Sequence, residues 1–553
     1  MRPTDVFSEE LLIEDLDHLG IVAGVVDQIG LVECIDARLG RYESECVSAG
    51  EALKAMILNG LGFVSAPLYL FGRFFEGKPT EHLLGADVEP RHLNDDKLGR
   101  VLDRLYEAGL TSLFVELAGR AISTLGVGTR RLHLEATSFH LHGHYPKQPH
   151  EHQRAVAEGE HDEEPEPIHI TYGYSRDHRP DLKQFVVDLL CSGDGGVPLF
   201  LRAADGNDSD SATFTSLISE FREQVELGTL FVADAALYGE DNLQSLRGLR
   251  WVSRVPQTIK EARAALEDFD EQALRPSSGR EGYRIAELNA EYAGVPQRWV
   301  IISSEARSER RLARLRKELD REGARAQKEL RKLKRRRFNC EADARQEMAR
   351  FAERLRLHDL EGLGVIVEAY HAQRGRPRKG QQPHYRYRIS AELARDEEAV
   401  RRSERRAGRF LLATNVIEQE SLSTEEVLEA YLEQGVVERG FRFLKDPMFF
   451  TASVFLKNPK RVAALAMVMG LCLLVYALGE RMVREALAKA DDRIRDQKGK
   501  PTQRPTLRWV FQLFQAVHLV GMGASQQVAG LTEERKHILA FFSLPCRRYY
   551  LLS

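Results

Sequence analysis

The chain has 553 residues, enough for several hydrophobic cores, and its 43% hydrophobic and 29% charged residues are typical of a folded protein rather than a disordered one. The net charge of −4 excludes a uniformly cationic chain, so any nucleic-acid surface must come from local segregation of basic residues. The six cysteines include no CxxC pair, which argues against a disulfide framework or a thiolate zinc site and favours a reducing compartment.

The first 125 residues have the pattern of short helices joined by turns. "SAGE", Ser48–Glu51, has the form of a capping box before an apolar-periodic run. Asn94 or Asp95 is placed to cap another helix, which ends at Gly109. The acidic N-terminus lacks the apolar segment of a signal peptide. We predict a helical domain over residues 1–125 and leave two roles open: DNA binding, or a scaffold and dimerisation unit.

Residues 126–259 change to a strand-rich pattern. The predicted strands are "LHLEATSFHLHG", "KQFVVDLLCS", the start of "TLFVADAALYGEDNLQSL", and "LRWVSRV". The third of these runs on into a helix, and a polar loop is expected over residues 146–169. Strands followed by strand–helix alternation predict an α/β domain with a mixed sheet.

The next part of the chain, residues 260–405, is rich in charge. Residues 305–360 predict a helical hairpin, and "RKLKRRR" at 331–337 is either a solvated end of it or a phosphate-contacting surface. "RGRPRKG" at 374–380 resembles a minor-groove hook, although a basic surface loop is the simpler interpretation. "YRYRISAEL" and "RFLLATNV" predict strands, and residues 424–550 predict a return to helix.

One apolar run bears on membrane association. Val462–Leu478 is uncharged over 17 residues, short of the roughly 20 that a spanning helix needs. It lies between Lys460–Arg461 and Glu480–Arg481. We predict a buried core helix rather than a membrane span, and a cytoplasmic protein that does not act at a membrane.

Two carboxylates, Asp234 and Glu438, occupy positions that are typical of catalytic residues. Asp234 ends a continuous apolar run, and the carboxyl end of a strand in an α/β sheet is where catalytic residues are usually presented. The alternative is a structural aspartate that caps the next helix. Further on, a capping box at Ser423–Glu426 opens a helix on which Tyr431, Gln434, Glu438 and Lys445 share one narrow arc. A polar stripe in place of an apolar one indicates contact with protein or ligand.

These segments together resemble the DDE-type transposases of bacterial insertion sequences. "YLEQGVVERGFRFLK" resembles their Y-x2-R-x3-E-x6-K signature, and "FLLATN" resembles the strand before it. "LHLEATSFHLHG" is similar to their first catalytic strand, written HLDxTS, and "FVADAALY" is similar to the second. "HLNDDKLGRVLDRLYEAG" and "RPTLRWVFQLFQAVHLV" also look like this group, so the resemblance covers nearly the whole chain.

The resemblance implies a catalytic triad of Glu135, Asp234 and Glu438, which follow one another at separations of 99 and 204 residues. All three would be ligands of two Mg²⁺ or Mn²⁺ ions, since such hard ions prefer oxygen donors. It further implies DNA contacts from the helix that carries Glu438. We assign these to Tyr431, Gln434, Arg439, Arg442 and Lys445.

The implied fold is an RNase H-like mixed-sheet core with a helical N-terminal domain and a helix-rich insertion. The core would comprise residues 126–259 and 406–553, the latter with C-terminal helices, and the insertion residues 260–405. The implied partners are double-stranded DNA, as element terminal repeats and target, and further copies of the chain in a homodimer or larger synaptic complex. A nucleoid-associated location in the cytoplasm would follow.

Two positions depart from the family pattern, and they keep a second function open. Glu135 replaces Asp, which adds one methylene, and Gln434 replaces the signature Arg, which removes a positive charge. Misplacement of a catalytic group by about 1 Å can cost on the order of 100-fold in rate. The alternative is therefore a catalytically impaired, transposase-derived protein that binds DNA sequence-specifically.

A rival from another class uses the histidines that crowd this region. On a strand, His140, His142 and His144 would share one face and offer nitrogen ligands to zinc. No HExxH motif supports that site, so solvated or DNA-facing histidines are the simpler interpretation. The full set within 46 residues is His133, His140, His142, His144, His150, His152, His161, His169 and His178.

Overall fold

The structure, a computed structural model, describes residues 11–42, 45–141, 145, 167–174, 179–208, 228–371, 382–444, 458–523 and 525–552, with only the backbone over 436–444. The chain divides into two compact units. The first comprises Met1–Ser253 and Ala430–Ser553, and the second comprises Arg254–Glu429. The second unit contains the segment 260–405 that the sequence predicts as an insertion. The predicted domain boundaries remain predictions.

The N-terminal part of the first unit is mostly helical, as the sequence predicts. Its helices are α1 (Leu19–Gln28), α2 (Leu31–Leu39), α3 (Ala49–Leu61), α4 (Phe71–Phe75), α5 (Thr80–Leu84), α6 (Asp95–Glu107) and α7 (Leu110–Leu125). The Ser48–Glu51 capping box is confirmed at the start of α3, and Asn94 caps α6 by accepting a hydrogen bond from the Lys97 backbone N–H. The segment Leu11–Asp15 is a strand, β1, rather than helix. Its short length and acidic end hide that strand in the sequence.

A mixed sheet forms the middle of the first unit. Its strands are β2 (Arg131–Leu141), β3 (Lys183–Ser192), β4 (Pro198–Ala204), β5 (Leu230–Ala233) and β6 (Arg250–Arg254), in the order β4-β3-β2-β5-β6. β2 pairs antiparallel with β3 and parallel with β5, and β5 pairs parallel with β6. The four predicted strands and the mixed sheet are confirmed. β4 is an addition, and α8 (Glu240–Ser245) is the helix predicted after β5.

The second unit contains more strands than predicted. Its helices are α9 (Lys260–Asp268), α10 (Glu305–Arg335), α11 (Glu341–Ala352) and α12 (Glu397–Arg405). Its strands are β7 (Arg275–Pro276), β8 (Tyr283–Tyr292), β9 (Val295–Ser304), β10 (His358–Tyr370), β11 (His384–Arg395) and β12 (Arg409–Thr414). The helical hairpin is confirmed as α10 and α11, but it ends at Ala352, and β8–β9 and β10–β11 are antiparallel hairpins. The segment is rich in helix, but the β8–β9 hairpin and β10 were not predicted, because charged side chains line exposed strands as readily as helices. The basic segment 374–380 lies outside the described residues.

The C-terminal part contains the long apolar helix. Its helices are α13 (Thr424–Leu444), α14 (Pro459–Ala490), α15 (Leu507–Leu513), α16 (Glu533–Leu539) and α17 (Leu544–Arg548). Among the described residues, α14 alone is long and apolar enough to cross a membrane, and 94% of its most apolar window is buried inside the protein. It packs against α1, α3, α6, α7 and β4. A Cβ at Gly470 would overlap the Leu201 side chain, so this glycine permits the close approach of α14 to β4. The predicted core helix is confirmed.

The prediction of helix throughout residues 424–550 was wrong at two hairpins. β13 (Ile494–Arg495) pairs with β14 (Pro501–Thr502), and β15 (His518–Met522) pairs with β16 (Ser525–Ala529). β15 also pairs antiparallel with β1, which joins the two ends of the chain in a three-stranded sheet. A five-residue strand such as β15 needs this distant partner, and periodicity within its own sequence does not reveal it.

His18 makes the stability of the first unit depend on pH. It is 1% exposed, its Nε2 lies 2.9 Å from the carbonyl oxygen of Leu61, and its ring packs between Phe63 and Phe511. Burial lowers the pKa of His18 from 6.5 to about 4. The unfolded chain therefore binds a proton that the folded chain excludes between these values, so the stabilisation present above pH 6.5 is lost as the pH falls towards 4.

We expect this loss to be about 3 kcal/mol, since each pKa unit corresponds to about 1.36 kcal/mol. Thermal unfolding of the wild type and of His18→Gln between pH 7 and 4 measures it, and the variant should lose less stability on acidification. His384→Gln, at an exposed position of the second unit, is the matched control. Equal acid sensitivity in wild type and His18→Gln would refute the assignment.

Candidate active site

The first two predicted catalytic carboxylates stand on neighbouring parallel strands. His133 of β2 is the register partner of Val232 of β5. Glu135 and Asp234 each follow this pair by two residues, Glu135 within β2 and Asp234 directly after the end of β5. Glu135 is half-buried, as is Asp234. The parallel pairing of β2 with β5 thus carries two residues that are 99 positions apart in sequence to the same region of the sheet.

Asp234 directly follows strand β5 and caps the turn that comes after it. β5 ends at Ala233, and one carboxylate oxygen of Asp234 accepts a hydrogen bond from the backbone N–H of Ala236 at 2.9 Å. The Ser253 hydroxyl donates to the Asp234 backbone carbonyl at 2.8 Å. Asp234 therefore caps the single 3₁₀ turn Ala235–Leu237, whereas the α-helix predicted after it, α8, begins only at Glu240. This capping role is structural. It does not exclude the catalytic one, because the same bonds fix the carboxylate at the carboxyl end of β5.

Helix α13 contacts the same face of β2 through two consecutive side chains. The Gln434 side-chain amide donates to Oε2 of Glu135 at 3.1 Å, and Gln434 is 4% exposed. The neighbouring Glu433 accepts a hydrogen bond from Arg131 Nη1 at 2.9 Å and lies 3.7 Å from His133 Nε2. Residues 131, 133 and 135 alternate along β2 and so share one face.

Glu433 and Arg131 were not predicted as site residues from the sequence. Two signals pointed to them: Arg131 has the same strand parity as Glu135, and Glu433 directly precedes Gln434 in the signature helix. Gly193 lies directly against the contact between Arg131 and Glu433. Its backbone N–H donates to the Arg131 carbonyl at 2.9 Å, and a Cβ at this position would come within 2.9 Å of the Glu433 carboxylate.

The remaining predicted residues lie on or beyond the end of α13. Tyr431 is half-buried on this helix. Glu438, Arg439 and Arg442 belong to its backbone, which is helical to Leu444, and their side chains are outside the described part. Lys445 also lies outside the described residues. The structure therefore brings Glu135 and Gln434 into contact and places Asp234 at the end of the strand beside β2, while the roles of all the predicted site residues stay predictions.

The neighbourhood of Glu135 also contains a buried histidine and cysteine. His133 is fully buried, and Cys191 is its register partner on β3. Burial raises the pKa of the Cys191 thiol well above its usual range, with a smaller contribution from Glu135, so a thiolate nucleophile is disfavoured.

Within the described residues no three His, Cys, Asp or Glu side chains are grouped to hold a metal. The rival site of His140, His142 and His144 is not tested, because the latter two lie outside the described residues.

Comparison with known proteins agrees with the transposase resemblance. The family model for a transposase DDE domain matches residues 129–475, and a model for a domain of unknown function (DUF4277) matches residues 11–119. The first match spans more than half of the chain. The chain therefore belongs to the transposase DDE-domain family. The predicted DDE-type transposase class is confirmed at that level.

Two further comparisons complete this description. A cryo-EM structure of the piggyBac transposase synaptic complex with hairpin DNA is similar over 93% of this chain and 82% of that chain, with 11% sequence identity and a TM-score of 0.37. The likeness is distant. No curated protein matches the chain significantly.

Proposed function

We propose that the protein is the transposase of a bacterial-type insertion sequence, which binds the ends of its element and catalyses metal-dependent DNA strand cleavage and transfer. The observation that carries this proposal is the parallel register of β2 and β5, because Glu135 and Asp234 each follow its last residue pair by two positions. Membership of the transposase DDE-domain family supports it. In the proposal the mixed sheet is an RNase H-like core, and Glu438 is the third carboxylate.

The residues present fit a divalent cation. Glu135 on β2 and Asp234 directly after β5 offer carboxylate oxygens, which suit Mg²⁺ or Mn²⁺ better than a softer metal. Position 438 follows Gln434 by one helical turn on the unbroken backbone of α13. Glu135, Asp234 and Glu438 would therefore hold the ions, two in the proposal. When bound, such ions activate the attacking oxygen and stabilise the leaving oxygen of a phosphodiester.

The protein side chains would supply positioning and charge. In the proposal Tyr431, Arg439, Arg442 and Lys445 contact DNA phosphates near the cut, where arginines bind phosphate with two parallel hydrogen bonds. Gln434 was predicted as a further DNA contact. Its burial and its bond to Glu135 favour a role inside the site instead.

A basic surface in the second unit supports DNA as the partner. We call it the basic face: Lys332, Lys334, Arg335, Arg336, Arg337, Arg386 and Arg388. The two chain segments meet because Phe338 and Tyr387 exchange backbone hydrogen bonds of 2.8 and 3.0 Å, and Arg388 Nε donates to the Lys334 carbonyl at 3.2 Å.

Among the residues that the structure describes, two acids pair with this surface. Glu347 lies 3.4 Å from Arg336, and Glu368 contacts both Arg337 and Arg388. Arg386 also stacks over the Tyr370 ring at 3.8 Å. A chain of net charge −4 thus concentrates positive charge at one place, as phosphate recognition requires.

Charge reversal tests the basic face. We expect Arg335→Glu/Arg336→Glu/Arg337→Glu to weaken binding to duplex DNA at least about 10-fold and to reduce the salt dependence of binding, by close to 0.9 in log–log slope per lost phosphate contact. Arg310→Glu/Arg316→Glu/Lys317→Glu, earlier on α10 among Glu305, Glu309, Glu318 and Asp320, is the matched control. Fluorescence anisotropy over a salt series measures both. If both triple variants lost the same DNA affinity, the change in net charge alone would explain the loss, and the basic face would be refuted as the DNA-binding surface.

The proposed function itself is tested on DNA that carries the natural flanks of the gene. Purified protein should nick or cut this DNA at the element boundary when Mg²⁺ or Mn²⁺ is added, and should leave unrelated DNA intact. Boundary-specific binding without cleavage in either metal would favour the second candidate, an impaired DNA-binding derivative. The substitutions at 135 and 434 motivate that candidate.

The proposal extends to assembly and location. A synaptic complex must hold two element ends, so we propose a homodimer or larger assembly on DNA. Its place would be the cytoplasm, on the nucleoid. Size-exclusion chromatography with light scattering, run with and without end DNA, measures the assembly.

A further inference from the structure

We infer that Gln434 is a positioning residue for Glu135: its side-chain amide fixes the carboxylate in the conformation that binds a divalent cation together with Asp234. The inference rests on the proposed function and deepens it. It starts from the contact between the Gln434 side chain and the Glu135 carboxylate, which lie 299 residues apart in sequence.

The donor of this bond is shielded from solvent. Gln434 is 4% exposed, and its Nε2 lies 3.1 Å from Oε2 of Glu135. Buried amides are almost always hydrogen-bonded, and a bond to a charged acceptor is stronger than a neutral one. The Glu135 side chain has more rotatable bonds than Asp, so each hydrogen bond to its carboxylate narrows the positions that it occupies, and the bond from Gln434 is one of them.

A second contact keeps Gln434 in place. Glu433, one residue earlier, binds Arg131 at 2.9 Å and lies 3.7 Å from the fully buried His133. α13 is therefore attached to β2 at two points along one strand face, which fixes both its distance and its register. Gly193 leaves just enough room for Glu433. The helix cannot slide without breaking the ion pair.

The chemistry of the amide suits this role. Gln434 donates a hydrogen bond without bringing a charge, so Glu135 keeps the full negative charge that attracts a cation. An arginine at this distance would partly neutralise the carboxylate. The longer side chain at position 135 is thus matched by an uncharged hydrogen-bond donor at position 434. The protein holds the carboxylate in place before any ion binds.

Binding of Mn²⁺ to the full-length protein tests the inference without any need for DNA cleavage. Free Mn²⁺ is followed by electron paramagnetic resonance during titration of the wild type, Gln434→Ala, Glu135→Asp and the double variant, with Asp234→Asn reporting on the site. Gln526→Ala, the same deletion on exposed β16, is the matched control. Thermal unfolding of each variant is measured alongside.

We expect Gln434→Ala to weaken Mn²⁺ binding about 10-fold, the loss of one charge-assisted hydrogen bond, while the unfolding midpoint changes by no more than about 3 °C. Both Glu135→Asp and Gln434→Ala break the same bond, so the double variant should bind no more weakly than Glu135→Asp alone. The control should bind as the wild type does.

The possible failures are distinguishable. Wild-type Mn²⁺ affinity in Gln434→Ala, or additive losses in the double variant, would overturn the positioning role while a loss in Asp234→Asn leaves the proposed function standing. Unchanged Mn²⁺ binding in both Asp234→Asn and Glu135→Asp would instead overturn the proposed metal site itself.

Discussion

Replacement of Asp234 by Asn, or of Glu135 by Gln, is expected to lower the rate of DNA strand cleavage about 1,000-fold or more. Each change removes one negative charge from the proposed metal ligands and keeps the size of the side chain. An asparagine at 234 can still accept the hydrogen bond from the Ala236 backbone N–H, and a glutamine at 135 can still accept from Gln434. Folding and DNA affinity should therefore stay near those of the wild type.

The measurement combines three readouts on the same preparations. Cleavage of boundary DNA in Mg²⁺ gives the rate, anisotropy gives DNA affinity, and thermal unfolding gives stability. Asp241→Asn, an exposed carboxylate on α8, is the matched control and should cleave at the wild-type rate. If Asp234→Asn cleaved as fast as the control, Asp234 would be only the cap of the following turn.

Local patterns in the sequence predicted the strands that carry the site. β2 and β3 alternate or run apolar over ten residues or more and are bounded by clear breaks, so their positions follow from their own residues. The prediction that Glu135 and Asp234 act together required the family resemblance, because nothing within either segment sets the register of the two strands. Strand order is a property of the whole sheet.

Other parts of the structure were not predictable, for physical reasons. β1 and β15 are five residues each, and each acquires its conformation from the other across about 500 residues of chain. In β8, charged side chains alternate with apolar ones on a partly exposed surface, a pattern that also suits a helix in a charged region. The contact between Gln434 and Glu135 joins a helix to a distant strand. Sequence alone marked both residues as exceptions to a pattern and gave no sign that they meet.

Shortening Glu135 to Asp is expected to lower the cleavage rate on the order of 100-fold, even though Asp is the residue of the family pattern. The carboxylate retreats by about 1 Å or more, beyond reach of the Gln434 amide, and displacements of that size carry such costs. Gln434→Arg alone should also lower the rate, because a longer, charged side chain meets the longer Glu135. Together the two changes should recover part of the activity, since the greater length of Arg spans the gap that Asp opens.

This double-mutant cycle is read from cleavage rates in Mg²⁺ on boundary DNA, with unfolding midpoints recorded to show that each variant folds. A faster double variant than either single one means that positions 135 and 434 act as one unit, coupled by more than 1 kcal/mol if the recovery exceeds about 10-fold. A Glu135→Asp variant that gained activity by itself would contradict the matched pair. That result would identify Glu135 as a defect of this copy. The hydrogen bond between Gln434 and Glu135, together with the neighbouring ion pair of Glu433 and Arg131, instead favours a site that has adjusted to the longer side chain.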